Sequence, residues 1–509
     1  MTSSVDALRD TPTTSTRRQP RLGSRGLVAL AALFTVLLRL PFFAGPLSPD
    51  ESGLLIIAQS WSEGPFLYGD YFVGRGIVVI AVYALADVFG GWVGLRLLGI
   101  LVAVTMVVAA GWAGHQLRGR RGAGWAAFVA AAYSSTYFFS SVSTNERLLG
   151  AALVMLSCGV TLRALRGRGS LPLAVLAGVL ATLPVLAVQS YVDGFVFAVV
   201  LLVALVATGR VTLSTAVRVA VGGVLGALVV LAALAVLFAT TWMTWEQFWF
   251  QMAGYRFEAS VVVRDGATMP VERLQMMAKL VTWTGAAVLL VGLLTGPRTA
   301  RRAGRVAEWL ALVAMLVLVV ASMVAGGDYW PDYMLQAIPA LAMATGLLAP
   351  AAGWTGIVMR LGASVAVVAA VVAVYIGLQR PFLGSATDEA ATGRWLAAAK
   401  EPDDTALVVF GKANVLHHAG MTGPYPYMWS LLTRTLDPEL DLLAETLQGP
   451  DAPTWLVSWH GPDTWDLDDG DRVAGIIREE YVLVDTPCNV DVYLLRGESR
   501  DLPSSAACG

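Results

Sequence analysis

Cysteine, histidine and charged residues are scarce in this 509-residue chain, and each scarcity excludes a class of protein. The three cysteines, Cys158, Cys488 and Cys508, exclude a disulfide framework and a cysteine-based zinc cluster. We expect the C-terminal end to be loose and Cys488 and Cys508 to remain unpaired. The four histidines show no metal-ligand spacing, so the sequence predicts no metal site. Only 14% of the residues are charged and the net charge is −2, which excludes a broad basic surface for nucleic acid.

Apolar residues are abundant instead, at 56% of the chain, and the mean hydropathy is +0.64. The first apolar run, 27–43, has about the length that crosses a bilayer as a helix, whereas the run 76–89 is too short and is predicted to lie at the membrane surface or to re-enter. The sequence predicts a polytopic α-helical membrane protein with about eleven transmembrane helices. After the first, the predicted spans lie near 93–113, 124–141, 148–165, 172–188, 194–208, 217–239, 277–295, 306–325, 333–349 and 358–378.

The bias of charge between the loops predicts the orientation of the chain in the bilayer. Four arginines within 17–25 precede the first span, further basic clusters follow in alternate loops, and the intervening loops hold most of the acidic residues. Because basic loops favour the cytoplasm, the N-terminus is predicted to be cytoplasmic and the long loops 45–92 and 240–276 extracytoplasmic. An odd number of spans places the residues after about 380 outside as well.

Composition divides the chain into three parts. Residues 1–25 are rich in Thr, Ser, Arg and Pro and are predicted to form a disordered cytoplasmic tail, and residues 26–380 form the membrane domain. Residues 386–500 alternate helical patterns with short strand-like runs, which predicts an extracytoplasmic α/β domain. The strand-like runs are 407–410, 455–459, 481–484 and 490–495.

Ionisable residues gather at the predicted outer ends of the spans, beginning with Asp50 and Glu51 after the first span. Adjacent carboxylates can activate a hydroxyl, bind a divalent cation, or only face water. Ionisable groups at a membrane boundary are costly unless they face a cavity, so their recurrence on one side favours a shared site over separate solvated charges. The further members of this set are Asp70, Arg75, Asn145, Glu146, Arg147, Asp328, Asp332 and Tyr333.

Several short motifs follow one another in order along 26–380. They are Leu38-Arg39-Leu40-Pro41, Pro49-Asp50-Glu51, Gly74-Arg75-Gly76, Leu95-Arg96-Leu97, Ser143-Thr144-Asn145-Glu146-Arg147-Leu148-Leu149 and Tyr333-Met334-Leu335-Gln336-Ala337-Ile338-Pro339-Ala340-Leu341. In their order and sidedness they resemble the GT-C glycosyltransferases that use a polyprenyl-phosphate sugar. That group contains the protein O-mannosyltransferases and the aminoarabinose transferases of lipid A.

The resemblance implies a membrane glycosyltransferase, of hexosyl or pentosyl type, with Asp50 as the catalytic carboxylate and Glu51 beside it. The sugar would pass from a polyprenyl-phosphate-linked donor to a glycan, lipid or protein acceptor outside the cytoplasm, by a single displacement with inversion. No cofactor is implied, and a divalent cation at the acidic site stays open. The residues implied to bind substrates are Asp70, Arg75, Asn145, Glu146, Arg256 and Tyr333.

Two motifs depart from the family pattern. Gly74-Arg75-Gly76 stands where the family often has Lys-Pro-Pro, and Asp332 stands where a histidine or arginine often precedes the tyrosine. Arg75 keeps a positive charge for the donor phosphate, to which arginine can form bidentate hydrogen bonds. Arg256 and Arg264, in the loop 240–276, are the other candidate phosphate ligands.

The competing class is a lipid-linked-sugar flippase or transporter, which also places charged groups near a cavity. Transporters usually carry internal repeats and polar breaks near the middle of the membrane. In this chain the charges cluster at the predicted outer ends of the spans, which favours an enzyme.

The predicted orientation can be tested by cysteine labelling from either side of the membrane. Single cysteines at positions 20, 119, 167 and 300 should react only from the cytoplasm, because they lie in or beside the basic segments. Cysteines at positions 50, 145, 265 and 450 should react from outside. Labelling of 119 or 300 from outside would contradict the count of spans and move the acidic site across the membrane.

Overall fold

The computed structural model describes residues 23–167, 169–265, 268–379, 385–504 and 508. The predicted tail over 1–25 lies outside these residues except for its last three positions. Helices dominate the described chain, and a small sheet lies near its C-terminal end. The predicted class, a polytopic helical membrane protein with a C-terminal α/β domain, is confirmed.

Apolar helices form most of the chain before 380. In chain order the helices there are α1 (Ser24–Arg39), α2 (Pro49–Gln59), α3 (Ile77–Val88), α4 (Trp92–Ser134), α5 (Glu146–Arg166), α6 (Leu171–Thr182), α7 (Asp193–Ala207), α8 (Leu213–Thr240), α9 (Trp245–Trp249), α10 (Tyr255–Asp265), α11 (Thr268–Trp283), α12 (Ala286–Leu294), α13 (Pro297–Arg302), α14 (Val306–Gly326), α15 (Ile338–Leu348) and α16 (Trp354–Gln379). Within the described residues, six helices are long and apolar enough to cross a membrane: α1, α4, α5, α8, α14 and α16. The pair α11 and α12, bent by 74°, would add a seventh, so the count of about eleven spans stays a prediction.

Helix α4 is long because it joins two antiparallel halves. Its backbone leaves helical geometry at Arg118 and Gly119, and Gly119 has a φ of 64°, a left-handed value that favours glycine. A Cβ atom on Gly114 would lie 2.4 Å from the Gly122 carbonyl oxygen, so these two residues are in contact. In a continuous helix they would be about 12 Å apart, so the chain reverses between them. The two halves correspond to the separate spans predicted at 93–113 and 124–141.

Helix α15 is buried along its whole length and packs against α4, which also contacts α1 and α5. Alanine and glycine dominate the buried positions of α4, which lets helix backbones approach closely where lipid supplies no hydrophobic driving force. The buried Arg39 side chain, at the end of α1, donates hydrogen bonds to the carbonyl oxygens of Ser134, Ser141 and Val142. These bonds tie α1 to the loop that leads into α5.

The described chain from 385 onward forms a small α/β unit. In chain order it contains α17 (Ser385–Ala399), β1 (Ala406–Val408), α18 (Ala413–Ala419), α19 (Ser430–Leu436), α20 (Asp441–Gln448), β2 (Trp455–Ser458), α21 (Arg472–Glu480), β3 (Tyr481–Asp485) and β4 (Asp491–Leu495). The strand order is β1-β2-β4-β3, with β1 and β2 parallel and the other neighbours antiparallel. All four predicted strand-like runs form strands, with ends shifted by a residue or two.

Cys488 and Cys508 form a disulfide, so the expectation that they remain unpaired is wrong. Their Cα atoms lie 5.4 Å apart, within the usual range for such a bond. The bond ties the end of the chain to the loop between β3 and β4, which holds Cys488.

The C-terminal unit packs on the segment that contains α2 and the loop after it. Helix α18 contacts α2 directly. The Tyr71 hydroxyl donates to the Gly423 carbonyl oxygen at 2.9 Å and accepts from the Gly423 N–H at 3.0 Å. The Phe72 N–H donates to the Pro426 carbonyl oxygen at 3.2 Å. These contacts bring the C-terminal unit beside the first turn of α2, where Asp50 lies.

Candidate active site

The first turn of α2 is held by a capping box. The Ser48 hydroxyl accepts the Glu51 N–H at 3.2 Å, and the Ser48 N–H donates to Glu51 Oε2 at 3.0 Å. Pro49 occupies the first helical position, where its missing N–H costs nothing. Asp50 follows on this turn, so its carboxylate also benefits from the positive end of the helix dipole.

Glu51 is 1% exposed, and its carboxylate joins three elements. Besides the bond from Ser48, Glu51 Oε1 accepts from Arg96 Nη1 at 2.5 Å and from the Thr144 N–H at 2.7 Å. These bonds tie the start of α2 to α4 and to the loop before α5. Both oxygens have partners inside the protein, so Glu51 holds the start of α2 in place, and its catalytic role stays a prediction.

Asp50 lies among other charged side chains, and we call the partly enclosed space around its carboxylate the cleft. Its side chain is exposed to solvent, yet protein surrounds it closely enough that burial raises its pKa above the usual value. Arg75 lowers the pKa of Asp50 again, and Glu146 raises it. The Trp429 indole N–H donates to Asp50 Oδ1 at 2.8 Å, which favours the ionised form. An accessible carboxylate among charged partners is suited to accept a proton.

Six further side chains line the cleft with Asp50, and we call the set the charged cluster. Arg75 Nε lies 2.9 Å from Glu146 Oε1, and Arg147 Nε lies 2.9 Å from Asp332 Oδ2. The Arg147 guanidinium also lies 3.8 Å from the centre of the Tyr333 ring, a cation–π contact. The charged cluster consists of Asp50, Arg75, Glu146, Arg147, Arg256, Asp332 and Tyr333.

Arg256 is the member whose charge is least compensated. Its Nη2 donates to the Gly74 carbonyl oxygen, while its Nε is buried without a hydrogen-bond partner. Within the described residues, no carboxylate lies within ion-pair distance of it. Burial and the nearby Arg75 lower the pKa of Arg256 to about 10. An anion in the cleft would relieve this deficit.

Loop 240–276 holds the backbone of Arg75 in place. The Arg75 carbonyl oxygen accepts hydrogen bonds from the Tyr68 hydroxyl and from Gln251 Nε2, both at 3.1 Å. Gln251 lies in a π-helical turn, Phe250–Gly254, between α9 and α10. The two long loops predicted to be on one side of the membrane therefore meet at this cleft.

The remaining predicted site residues take different places. Asn145 caps α5, because its Oδ1 accepts the Leu148 N–H at 2.9 Å, and it thereby presents Glu146 and Arg147 to the cleft. Asp70 is exposed in its loop and forms none of the ion pairs of the described cluster. Arg264 is exposed near the end of α10.

The sequence placed Arg147 and Asp332 in the ionisable set but gave them no role, and it did not indicate Trp429 at all. Asp332 stands where the resembled family often has a histidine or arginine. In this chain Asp332 is paired with Arg147, so a positive charge lies beside position 332 but is supplied by α5. The sequence signals for Arg147 were its place at the outer end of a predicted span and within the motif that also holds Asn145 and Glu146. Trp429 lies more than 350 positions from Asp50 and carried no signal.

A metal ion has no evident ligand set in the described residues, where no group of three or more His, Cys, Asp or Glu side chains converges. Glu146 Oε2 is buried without a hydrogen-bond partner, but its other oxygen is paired with Arg75. The divalent cation at the acidic site stays a prediction.

An apolar groove of about 560 Å³ runs along α16. One wall is formed by side chains spaced three and four apart on this helix, from Ser364 to Ile376. Phe138 and Trp283 form the other side, and Trp283 lies at the bend between α11 and α12. The groove is suited to an aliphatic chain.

Solved structures of other proteins share this fold. The crystal structure of ArnT from Cupriavidus metallidurans in the apo state aligns with a TM-score of 0.59 and 14% identity, over 92% of this chain and 98% of that one. ArnT bound to undecaprenyl phosphate gives a TM-score of 0.55 and 14% identity, over 92% and 97%. The apo Archaeoglobus fulgidus oligosaccharyltransferase gives 0.58 and 12%, over 95% of this chain and 76% of that one.

These proteins are glycosyltransferases of the GT-C superfamily, so the resemblance noted in the sequence is confirmed at the level of the fold. The chain matches no protein-family model and no curated relative. The chain therefore has the GT-C membrane fold, with a charged cleft at the start of α2.

The positioning role of Glu51 predicts a loss of stability. Glu51→Gln keeps a capping acceptor but leaves the buried Arg96 without its counter-charge, which should lower the free energy of unfolding by about 3 kcal/mol. Thermal unfolding in detergent measures the change, and Glu63→Gln, an exposed acid in the same loop, is the matched control. Full stability with lost turnover would return Glu51 to a catalytic role.

Proposed function

We propose that this protein is a membrane glycosyltransferase that moves a sugar from a polyprenyl-phosphate donor to an acceptor hydroxyl, with Asp50 as general base. The observation that carries the proposal is the accessible Asp50 carboxylate in a cleft that also holds an undercompensated arginine, Arg256. The first group suits proton removal and the second suits a leaving phosphate. The shared fold of ArnT and oligosaccharyltransferase supports the same reading.

The proposed reaction is a single displacement. Asp50 takes the proton of the acceptor hydroxyl as its oxygen attacks the anomeric carbon. The bond between that carbon and the phosphate oxygen breaks on the opposite face, so the configuration inverts. The negative charge that develops on the lipid phosphate is stabilised by guanidinium groups of the cleft.

Arg256 is the preferred phosphate ligand, which changes the order predicted from the sequence. Arg75 was the first candidate, but its guanidinium is already paired with Glu146, and Arg147 is paired with Asp332. Within the described residues, the hydrogen bond that the Arg256 guanidinium donates goes to the Gly74 carbonyl oxygen, so a phosphate would gain more from Arg256. Arg75 lies close enough to interact electrostatically with both Asp50 and Arg256, and it contributes positive charge.

The groove along α16 is the proposed site of the prenyl chain. Its wall is apolar, and Trp283, at the bend between α11 and α12, is 57% exposed. ArnT has been solved with undecaprenyl phosphate, and the oligosaccharyltransferase with dolichol-phosphate. We propose that this chain takes a lipid of that chemical class, with the cleft on the extracytoplasmic side.

The acceptor is proposed to be a glycan, lipid or protein outside the cytoplasm. A flippase of the same fold would need the charged groups for transport alone and would not need a base. Loss of Asp50 therefore separates the two functions.

Asp50→Asn should reduce turnover by about a hundredfold or more, because the amide has the size of the carboxylate but cannot take the proton. Turnover is measured as release of undecaprenyl phosphate from a panel of synthetic undecaprenyl-phosphate sugars with candidate acceptors. Glu63→Gln, an exposed acid of the loop 45–92 with no predicted role, is the control and should stay within about twofold. Near-normal turnover in folded Asp50→Asn would remove Asp50 from the base role.

Arg256→Ala should weaken binding of undecaprenyl phosphate by about ten- to a hundredfold, because a charge-assisted hydrogen bond is lost. Arg75→Ala should weaken it less, since it also releases Glu146. The measurement is lipid titration in nanodiscs, which requires no knowledge of the sugar. Arg264→Ala, on the same helix as Arg256 but exposed, is the control. A larger effect of Arg75→Ala would restore the order predicted from sequence.

A further inference from the structure

A side chain of the C-terminal unit, that of Trp429, reaches Asp50 in the cleft. Trp429 Nε1 donates to Asp50 Oδ1 at 2.8 Å, across 379 positions of sequence. The indole N–H is a donor only, so it cannot compete with Asp50 for the proton of an acceptor. The contact joins the two parts of the chain at the group that the proposed function makes the base.

The indole ring packs against α2 at a position that has no side chain, Gly53. Gly53 follows Asp50 by three positions, on the same face of the helix. A Cβ atom on Gly53 would lie 2.4 Å from Trp429 Cζ2 and 2.6 Å from Cη2, closer than atoms can approach. Glycine at this position therefore makes room for the ring and sets the height of the indole N–H at Asp50.

Trp429 is also fixed from its own side. Its carbonyl oxygen accepts the Leu432 N–H at 2.9 Å in the first turn of α19. The preceding residues Tyr425, Tyr427 and Met428 are buried. Between the two tyrosines, the Pro426 carbonyl oxygen accepts the N–H of Phe72, in the loop after α2. The position of Trp429 is therefore fixed both by the contacts of its indole with α2 and by the backbone hydrogen bonds on either side of it.

A bond to Oδ1 has two consequences for the carboxylate. It fixes the rotation of the carboxylate, so Oδ2 is left to face the cleft and accept a hydroxyl proton. It also stabilises the ionised state, because a hydrogen bond to the charged form favours that form. Arg75 interacts with Asp50 electrostatically without forming an ion pair with it. Within the described residues, the Asp50 carboxylate takes part in no ion pair.

We propose that Trp429 is a positioning residue for catalysis, by which the C-terminal unit orients Asp50 and completes the active site. The inference rests on the proposed role of Asp50 as base. It gives the C-terminal unit a part in the reaction beyond covering the cleft.

Trp429→Phe tests the inference, because it keeps an aromatic ring over Gly53 and removes only the N–H. We expect kcat to fall about tenfold, with the donor KM little changed. The acid limb of the kcat/KM profile should move to higher pH by about one unit, since the ionised carboxylate loses a hydrogen bond. Trp459→Phe, also half-buried in the C-terminal unit, is the control and should leave the profile in place.

A second variant acts from the opposite side. Gly53→Ala leaves the indole and the carboxylate intact but forces the ring away from α2. Alanine favours a helix more than glycine does, so α2 should persist. The acid limb should again move to higher pH. Binding of undecaprenyl phosphate, measured in the same nanodiscs, should stay unchanged in both variants and confirms that the donor site is folded.

The outcomes separate the inference from the proposed function. If Asp50→Asn is inactive and Trp429→Phe keeps the wild-type kcat and pH profile, the positioning role is wrong and the base assignment stands. A lower kcat with an unmoved acid limb would show a structural role only and also overturn the inference. If Asp50→Asn is active, both the base assignment and the positioning role fail.

Discussion

The buried carboxylate of Glu51 is the constraint on which the cleft depends. It is the cap of α2, the counter-charge of Arg96 and the acceptor of the Thr144 N–H. A buried charge that loses one partner is strongly destabilising, so these contacts are satisfied together or not at all. The loop before α5 is thereby fixed next to α2. From this follows the place of Glu146 and Arg147 beside Asp50.

The charged cluster has three arginines and three carboxylates and is formally neutral, but the charges are not all paired with one another. Two arginines are paired with carboxylates, and the third, Arg256, is not. A cleft of this kind is poised for one more anion without carrying a large net charge of its own. A base and an anion site within one cleft are what a transfer from a phosphate leaving group requires. The same charges at separate surface sites could not act on one substrate at the same time.

Much of the fold followed from sequence because its signals are local. Apolar length indicated the helices, and strand-like runs indicated all four strands. Motif order placed Asp50, Arg75 and Glu146 at one cleft. The role of Glu51 did not follow, because adjacent carboxylates look alike until the fold shows that one is buried. Asn145 was expected at the substrate and is a helix cap, a role that its position before an acidic first turn also fits.

The relations that sequence could not supply are between distant residues. Arg147 with Asp332, Trp429 with Asp50, and Cys488 with Cys508 each join positions whose nearness only the tertiary structure creates. The pairing of Arg147 with Asp332 also shows why a departure from a motif is not a loss of charge. In this chain the carboxylate of Asp332 stands at the motif position, and the guanidinium of Arg147 lies next to it.

The distance along the chain between Asp50 and Trp429 has a consequence for synthesis. A ribosome adds the 379 residues from Glu51 to Trp429 in on the order of half a minute, so the residues of the charged cluster are made well before Trp429. During that interval the nascent protein has its arginines and its groove, but its carboxylate lacks the indole partner. Among the residues that the proposed function uses, the indole partner of Asp50 is therefore the last to be made, after every member of the charged cluster.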